Sequence, residues 1–434
     1  MSSSATSPSV VSFEEARHII EQHAAAVSPT AVETVDLLAA LGRVLSDQIV
    51  ADRDFPPFRR ATRDGYAVRA SDLADIPARL EVVGEIKAGA APESQVRALG
   101  PGQAVGIMTG APLPEGSDAV VMVEHTSFTA QTIEVSRGVK TGENVVPRGA
   151  EARAGQVLLK RGSRLDPAGI AIAASVGKAR VQIYGKPRVA ILATGDELVE
   201  TDTSPGPAQI RNSNTYSLAA QVQNAGGEPV RLPIAPDEPM RLQALIDEGL
   251  GCDLLLLTGG VSMGKYDLVE QVLTGLLAEF YFTGVEIQPG KPAVFGSCGA
   301  GALARLLAAH EKPTGTGMPA PQKKYFFGLP GNPVSTMVTF ELFAKPMIEA
   351  LAGLRPQPLI FLAAKLKSEI RAKIGLKRFL PAVLSGEFEK AEVELAPWQG
   401  SGDTAALARA NCYVVIPPAR ERIEAGEWVP LLMR

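Results

Sequence analysis

Cysteine is scarce in this chain of 434 residues: Cys252, Cys298 and Cys412 are all there is. They are far apart and odd in number, which excludes a disulfide framework and gives no metal-ligand spacing. They read as small buried apolar residues rather than as reactive thiols. A basic excess is also missing. Lys and Arg total 43 against 47 Asp and Glu, a formal net charge of -4, which argues against a general nucleic-acid binder. Any anionic ligand must therefore be held by local charges. No apolar run reaches the roughly 20 residues needed to span a bilayer. Met1 to Ser9 is small and mostly polar, without the apolar core of a signal peptide, so a soluble, cytoplasmic protein is expected. His18, His23, His125 and His310 stand at no spacing suited to a metal or a triad, and no Ser/His/Asp arrangement is readable, so hydrolysis by an activated serine is unsupported. Aromatics are few, whereas Gly (42) and Pro (33) are abundant, which suits a chain of many tight turns.

What the chain does have is an ordered set of glycine-proline motifs: Arg63-Asp-Gly-Tyr-Ala-Val68, Met108-Thr-Gly-Ala-Pro112, Thr194-Gly-Asp-Glu197, Thr258-Gly-Gly-Val-Ser-Met-Gly-Lys-Tyr-Asp267, Pro289-Gly-Lys-Pro292 and Gly328-Leu-Pro-Gly-Asn-Pro333. Each joins residues that let backbone approach an anion to a carboxylate, hydroxyl or lysine. Glycine gives up more chain entropy on folding than other residues, so such clusters are unfavourable in a plain scaffold. Their repetition points to a site for something small, polar and negatively charged.

Ser12-Phe-Glu-Glu15 is a capping-box pattern opening a helix over Phe13 to His23. A second helix is expected over Val35 to Leu45. From about Leu80 to Val135 short alternating strands separated by turns predict a small β-rich domain. Pro187 to about Leu354 alternates buried apolar strands with helices, which means a parallel, doubly wound sheet. Its last helix, a long one, is expected over Val334 to Leu354. Ligands of such sheets bind beyond the carboxyl ends of the strands. Thr194-Gly-Asp-Glu, Thr258-Gly-Gly and Gly328-Leu-Pro-Gly-Asn-Pro each fall at such an end, and that coincidence carries more weight than any one motif. The fold class expected is a multidomain α/β plus β protein, elongated, with a doubly wound mostly parallel domain flanked by small β-rich ones. The boundaries expected are 1–54 with 142–186 as a linker and dimerisation domain, 55–141 β-rich, 187–354 doubly wound with an exposed insertion at 297–322, and 355–434 a C-terminal β domain.

Individual residues keep two readings. Asp196 caps the next segment, or with Glu197 forms a carboxylate pair able to hold Mg²⁺ or act as a base. Asp267 is an N-cap, a site carboxylate, or both. Lys291, framed by Gly290 and Pro292, is a phosphate contact or a solvated lysine. Gly331 and Asn332 open a helix whose N-terminus is a ready anion site, or form a tight turn. Asp64-Gly-Tyr and Thr109-Gly-Ala-Pro, taken alone, are ordinary turns.

In this order the motifs resemble one family, the MoeA-type molybdopterin molybdenumtransferases, related to the C-terminal domain of gephyrin. The resemblance runs from about Phe13 to Trp428. It implies insertion of molybdenum from molybdate into adenylylated molybdopterin, with release of AMP and the molybdenum cofactor. It further implies Mg²⁺, a homodimer with its site at the dimer cleft, and contact with other proteins of cofactor synthesis. Carried over by position, the resemblance makes Asp64, Glu197, Asp237 and Asp267 the catalytic carboxylates, with Glu197 and Asp267 on the metal. Thr109, Glu151, Gly259, Gly260, Ser262, Lys291, Pro330, Gly331, Asn332, Pro333 and Ser401 would contact pterin, nucleotide or anion. Departures from the family pattern are Arg60-Ala-Thr-Arg63 before Asp64, Gln288 before Pro289, and Leu376 after Gly375, with Lys377 or Arg378 the possible replacements for a lost cation. The rival readings are a molybdopterin adenylyltransferase and a non-catalytic scaffold or degenerate copy.

Overall fold

The computed structural model describes residues 10–89, 98–260, 268–299 and 323–434. Ser262, Asp267 and the insertion beyond residue 299 lie outside the described residues. Ser297 and Cys298, assigned to that insertion from the sequence, instead end the strand Val294–Cys298. The chain divides into two compact units, one of residues 1–34, 42–46 and 182–434, the other of residues 35–41 and 47–181.

The first unit is built on a six-stranded sheet. Its order is Glu228–Arg231, Arg188–Ala193, Leu254–Thr258, Lys324–Leu329, Val294–Cys298 and Ala278–Phe282. The first four strands are parallel and the last two antiparallel. The expected mostly parallel sheet is present, with antiparallel pairing at one edge. Only 283–293 separate the last two strands in sequence, too short a link for the dozen or more residues that a parallel crossover needs. Side chains alternate across the sheet: Val189, Ile191, Leu254, Leu256 and Phe327 enter one core, and Ala190, Leu192, Leu255, Leu257 and Phe326 the other. Burial on both faces explains why these strands read as unbroken apolar runs. The register aligns Ala193 with Thr258 and Thr258 with Leu329. Three strands therefore end flush, and their glycine-containing loops leave the sheet side by side.

The helices Phe13–Ala26, Asn214–Asn224, Pro239–Leu250 and Leu268–Gly275 pack against this sheet or its neighbours. Ser12 caps the first, its Oγ accepting from the Glu15 N–H at 3.2 Å. The long helix expected over 334–354 is three pieces: Pro333–Thr339, a π-helical turn Phe340–Ala344, and Lys345–Leu351. Pro346 is the physical reason. It has no N–H to give to the carbonyl of Leu342, four residues back, and its ring crowds that carbonyl. The buried guanidinium of Arg17 donates to Leu342 O at 2.8 Å instead. Beyond it, the strands Phe361–Leu366, Lys377–Ser385, Glu392–Leu395, Cys412–Ile416 and Trp428–Met433 pair in a closed ring, a small barrel that leaves no free edge among them. The doubly wound domain with β-rich parts expected from the sequence is present.

The second unit holds another six-stranded sheet, in the order Ala119–Met122, Gly65–Val68, Gln103–Ile107, Ala78–Ile86, Thr132–Val135 and Thr126–Thr129. Gly65 is required by close approach: a Cβ there would stand 1.9 Å from Val121 O. The helix expected over 35–45 does not form. Val32–Asp36 is a strand and Leu37–Ala40 a single 3₁₀ turn. The β-branched run Val32-Glu-Thr-Val35 favours extended chain, and Gly42 follows at φ +76°.

Candidate functional site

The flush strand ends of the first unit open into a cavity of about 420 Å³. Its floor is Thr194, Thr258, Gly259 and Gly260; Pro330 to Pro333 form one wall and Glu197, Leu198 and Ile210 to Asn214 another. Five of the anticipated contact residues beside Pro330 are therefore together here: Gly259, Gly260, Gly331, Asn332 and Pro333. The glycine pair is dictated by geometry. Gly259 has φ +87° and Gly260 φ +60°. A Cβ on Gly259 would lie 2.5 Å from Thr194 O, and one on Gly260 2.6 Å from Thr194 Oγ1.

Hydrogen bonds tie the three loops to one another. Thr194 N–H donates to Thr258 O at 3.1 Å. Thr258 Oγ1 donates to Pro330 O at 3.3 Å and accepts from Asn214 Nδ2 at 3.0 Å. Asn214 Nδ2 also donates to Gly331 O at 2.7 Å. Thr194 Oγ1 and Asn214 Oδ1 are buried and have no hydrogen-bond partner. A buried polar atom left so costs about 1–3 kcal/mol, and both belong to residues lining the cavity.

Carboxylates gather at the rim. Glu197 is exposed and its side chain folds back over Gly195, where a Cβ would meet its carboxylate at 2.4 Å. Asp196 Oδ1 accepts from the Asp237 N–H at 3.1 Å. Burial, and then the nearby charges of Asp196 and Glu197, hold the Asp237 carboxyl above the usual carboxylate range. Among the described residues no group of three or more His, Cys, Asp and Glu is arranged to close round a metal unaided. Lys291 is exposed and follows Gly290, whose φ of +110° and contact with Thr339 leave no space for a side chain. Pro292, the next residue, lines the cavity. Ser401 enters from the C-terminal part, its carbonyl accepting from Val334 N–H at 2.9 Å. That bond occupies a donor of the helix end that the sequence reading left free for an anion. Lys377 pairs with Glu14, and Arg378, buried, donates to Lys373 O at 2.6 Å. Both candidate replacement cations are thus engaged within the protein.

Asp64, Thr109 and Glu151 belong to the second unit. Asp64 Oδ1 accepts from Thr109 N–H at 2.7 Å and Thr109 Oγ1 at 2.8 Å, and these two bonds hold the Asp64 carboxyl below the usual range. Arg60 Nη2 meets Glu151 Oε1 at 2.5 Å. The departure Arg60 therefore faces Glu151.

Sequence reasoning missed Thr194, Thr258 and Asn214 as a connected set. The signal was present: Asn212-Ser-Asn214 opens a helix at the ligand edge of the sheet, where amide side chains are common caps.

Comparison with known proteins decides the family. Residues 11–177 match the MoeA N-terminal region (domain I and II), 190–350 a probable molybdopterin binding domain, and 363–433 the MoeA C-terminal region (domain IV). The molybdopterin molybdenumtransferase of Nostoc sp. is 36% identical over 412 residues, 92% of this chain and 88% of its own. That of Bacillus subtilis is 34% identical over 410 residues, 92% and 89% of the two chains. The chain belongs to the molybdopterin molybdenumtransferase family. Its fold agrees: the crystal structure of the molybdopterin biosynthesis moeA protein from Pyrococcus horikoshii OT3 superposes with a TM-score of 0.76 at 28% identity, covering 98% of this chain and all of that one.

Proposed function

We propose that this protein inserts molybdenum from molybdate into adenylylated molybdopterin, releasing AMP and the molybdenum cofactor. The observation that carries the reading is the cavity at the flush strand ends, lined by three glycine-containing loops and by Glu197, in a chain of the molybdenumtransferase family. The relatives' names favour this transferase over the adenylyltransferase.

The residues have distinct tasks. Glycine-flanked backbone at Gly259, Gly260 and Gly331 lets the substrate approach closely. Lys291, next to the cavity-lining Pro292, would offset charge on the substrate's phosphate. Asp237, whose carboxyl is held above the usual carboxylate range by burial and by the charges of Asp196 and Glu197, is the rim carboxylate that takes up a proton most readily. A magnesium ion fits this donor set, because Mg²⁺ is usually held by one or two carboxylates together with substrate phosphates rather than by an all-protein cage. Glu197 would hold it, together with Asp267 beyond the described residues, and when bound it would polarise the phosphoanhydride. The dithiolene sulfurs that take molybdenum belong to the pterin, which accounts for the absence of any cysteine role. Asp64, Thr109 and Glu151 would complete the site in a homodimer, and the protein would work in the cytoplasm beside other proteins of cofactor synthesis. No helix of the described residues is long and apolar enough to cross a membrane.

The test is AMP release from adenylylated molybdopterin with Mg²⁺, with and without molybdate. Molybdate-dependent release that Asp267→Ala abolishes is the expected result. Pyrophosphate-linked adenylylation, or bound nucleotide with no release, would defeat the reading.

A further inference from the structure

We infer that Asp403 is a positioning residue for the cavity: its carboxylate pins the turn whose Ser401 carbonyl caps the helix behind the Pro330 to Pro333 wall. The inference rests on the proposed activity and deepens it. That helix, Pro333–Thr339, opens on a proline, so its first N–H is that of Val334. Asn332 stands at the N-cap, where Asn is a favoured residue, yet its side chain makes no capping bond. The Val334 N–H goes instead to Ser401 O at 2.9 Å. On the sheet side the wall is held through its carbonyls: Thr258 Oγ1 and Thr336 Oγ1 donate to Pro330 O, and Asn214 Nδ2 to Gly331 O. Ser401 holds the helix end from outside the sheet.

Ser401 lies in Gln399-Gly-Ser-Gly-Asp403. Two glycines leave such a turn with little conformational preference of its own, and Gly400 takes φ +125°. Asp403 supplies the constraint. Its Oδ2 accepts from the Gln399 N–H at 3.1 Å, where the turn begins. Its Oδ1 accepts from the Ala406 N–H at 3.0 Å, in the helix Thr404–Arg409 that follows. These two bonds hold the Asp403 carboxyl below the usual range. The following helix is itself fixed, because Leu407 shares a core with Val334 and Met337. The strand Lys377–Arg378 of the same C-terminal part also pairs with Ile287–Gln288, which leads into the Lys291 loop. Asp403 does not line the cavity, so it acts through Ser401 and Val334.

The experiment compares the full chain with Asp403→Ala and Asp403→Asn, each checked by thermal melting. Alanine loses both bonds. Asparagine still serves as an N-cap to Ala406 but turns an NH₂ toward the Gln399 N–H, so it tests the turn apart from the helix. Amide exchange should be faster at Val334 in both variants and unchanged at Leu255 and Leu256 of the buried strand. KM for adenylylated molybdopterin should rise about 5- to 10-fold with little change in kcat, and AMP affinity by calorimetry should fall in parallel. Wild-type exchange at Val334 in both variants overturns the inference whatever the activity. So does faster exchange at Val334 with KM and AMP affinity unchanged. Molybdate-dependent AMP release by the wild type, measured alongside, separates these failures from failure of the proposed activity.

Discussion

In the second unit, Asp64 and Thr109 satisfy each other through two hydrogen bonds, and Arg60 and Glu151 pair. In the first, Thr194 Oγ1 and Asn214 Oδ1 are held in place yet unpaired, and Asp237 is crowded by like charges. Asp64 and Thr109 are thus satisfied in the free protein, although Arg60 Nε in the same unit is buried without a partner. Asp237, beside Asp196 and Glu197, keeps unfavourable charge that a bound cation or proton would relieve. Binding energy should be concentrated at the cavity of the first unit, while in the second unit Thr109 holds the Asp64 carboxylate in place.

The sharpest way to break this contrast is Gly259→Ala. The added Cβ meets backbone at 2.5 Å in a left-handed conformation, so no side chain can yield. It should destabilise the protein by roughly 2–4 kcal/mol in urea unfolding and remove AMP binding. Wild-type affinity would show that the glycine pair does not shape the site. Lys291→Ala comes next. Losing one charge-assisted contact should lower turnover about 10- to 100-fold, with an unchanged melting temperature because the residue is exposed. Unchanged turnover would remove its phosphate role.

Two smaller effects sharpen the second unit's side. The folded-state pKa of Asp64 is lowered, so its stabilising contribution is present above the unfolded value of about 3.9 and is lost as pH falls through the lower folded value. The urea midpoints of wild type and Asp64→Ala should therefore differ at neutral pH and converge in acid. A gap that persists at the lowest pH would mean that charge is not what ties Asp64 to Thr109. Smallest is Glu151→Ala, which breaks an ion pair between the half-buried Arg60 and the exposed Glu151. Its stability cost should be at most about 1 kcal/mol and should shrink with added salt, as double-mutant cycles with Arg60→Ala would show.

Much of this was legible in the residues, for identifiable reasons. Buried strands such as Asp253-Leu-Leu-Leu-Leu257 announce themselves through composition, and the motifs at their ends mark the ligand edge. The antiparallel strands Ala278–Phe282 and Val294–Cys298 were not legible, because short apolar runs of mixed character do not state their direction. The π turn at Phe340–Ala344 was hidden inside a convincing helical pattern whose warning was Pro346. Asn214 was missed because its importance lies in which atom remains unpaired, and that follows from Thr258 and Gly331, far away in sequence.

The most direct measurement is amide hydrogen exchange of the full chain with and without adenylylated molybdopterin. Added protection at Thr258, Gly259, Gly260, Gly331 and Asn332 is expected when substrate is bound. Unchanged exchange at those amides under saturating substrate would contradict the assignment of this cavity as the site.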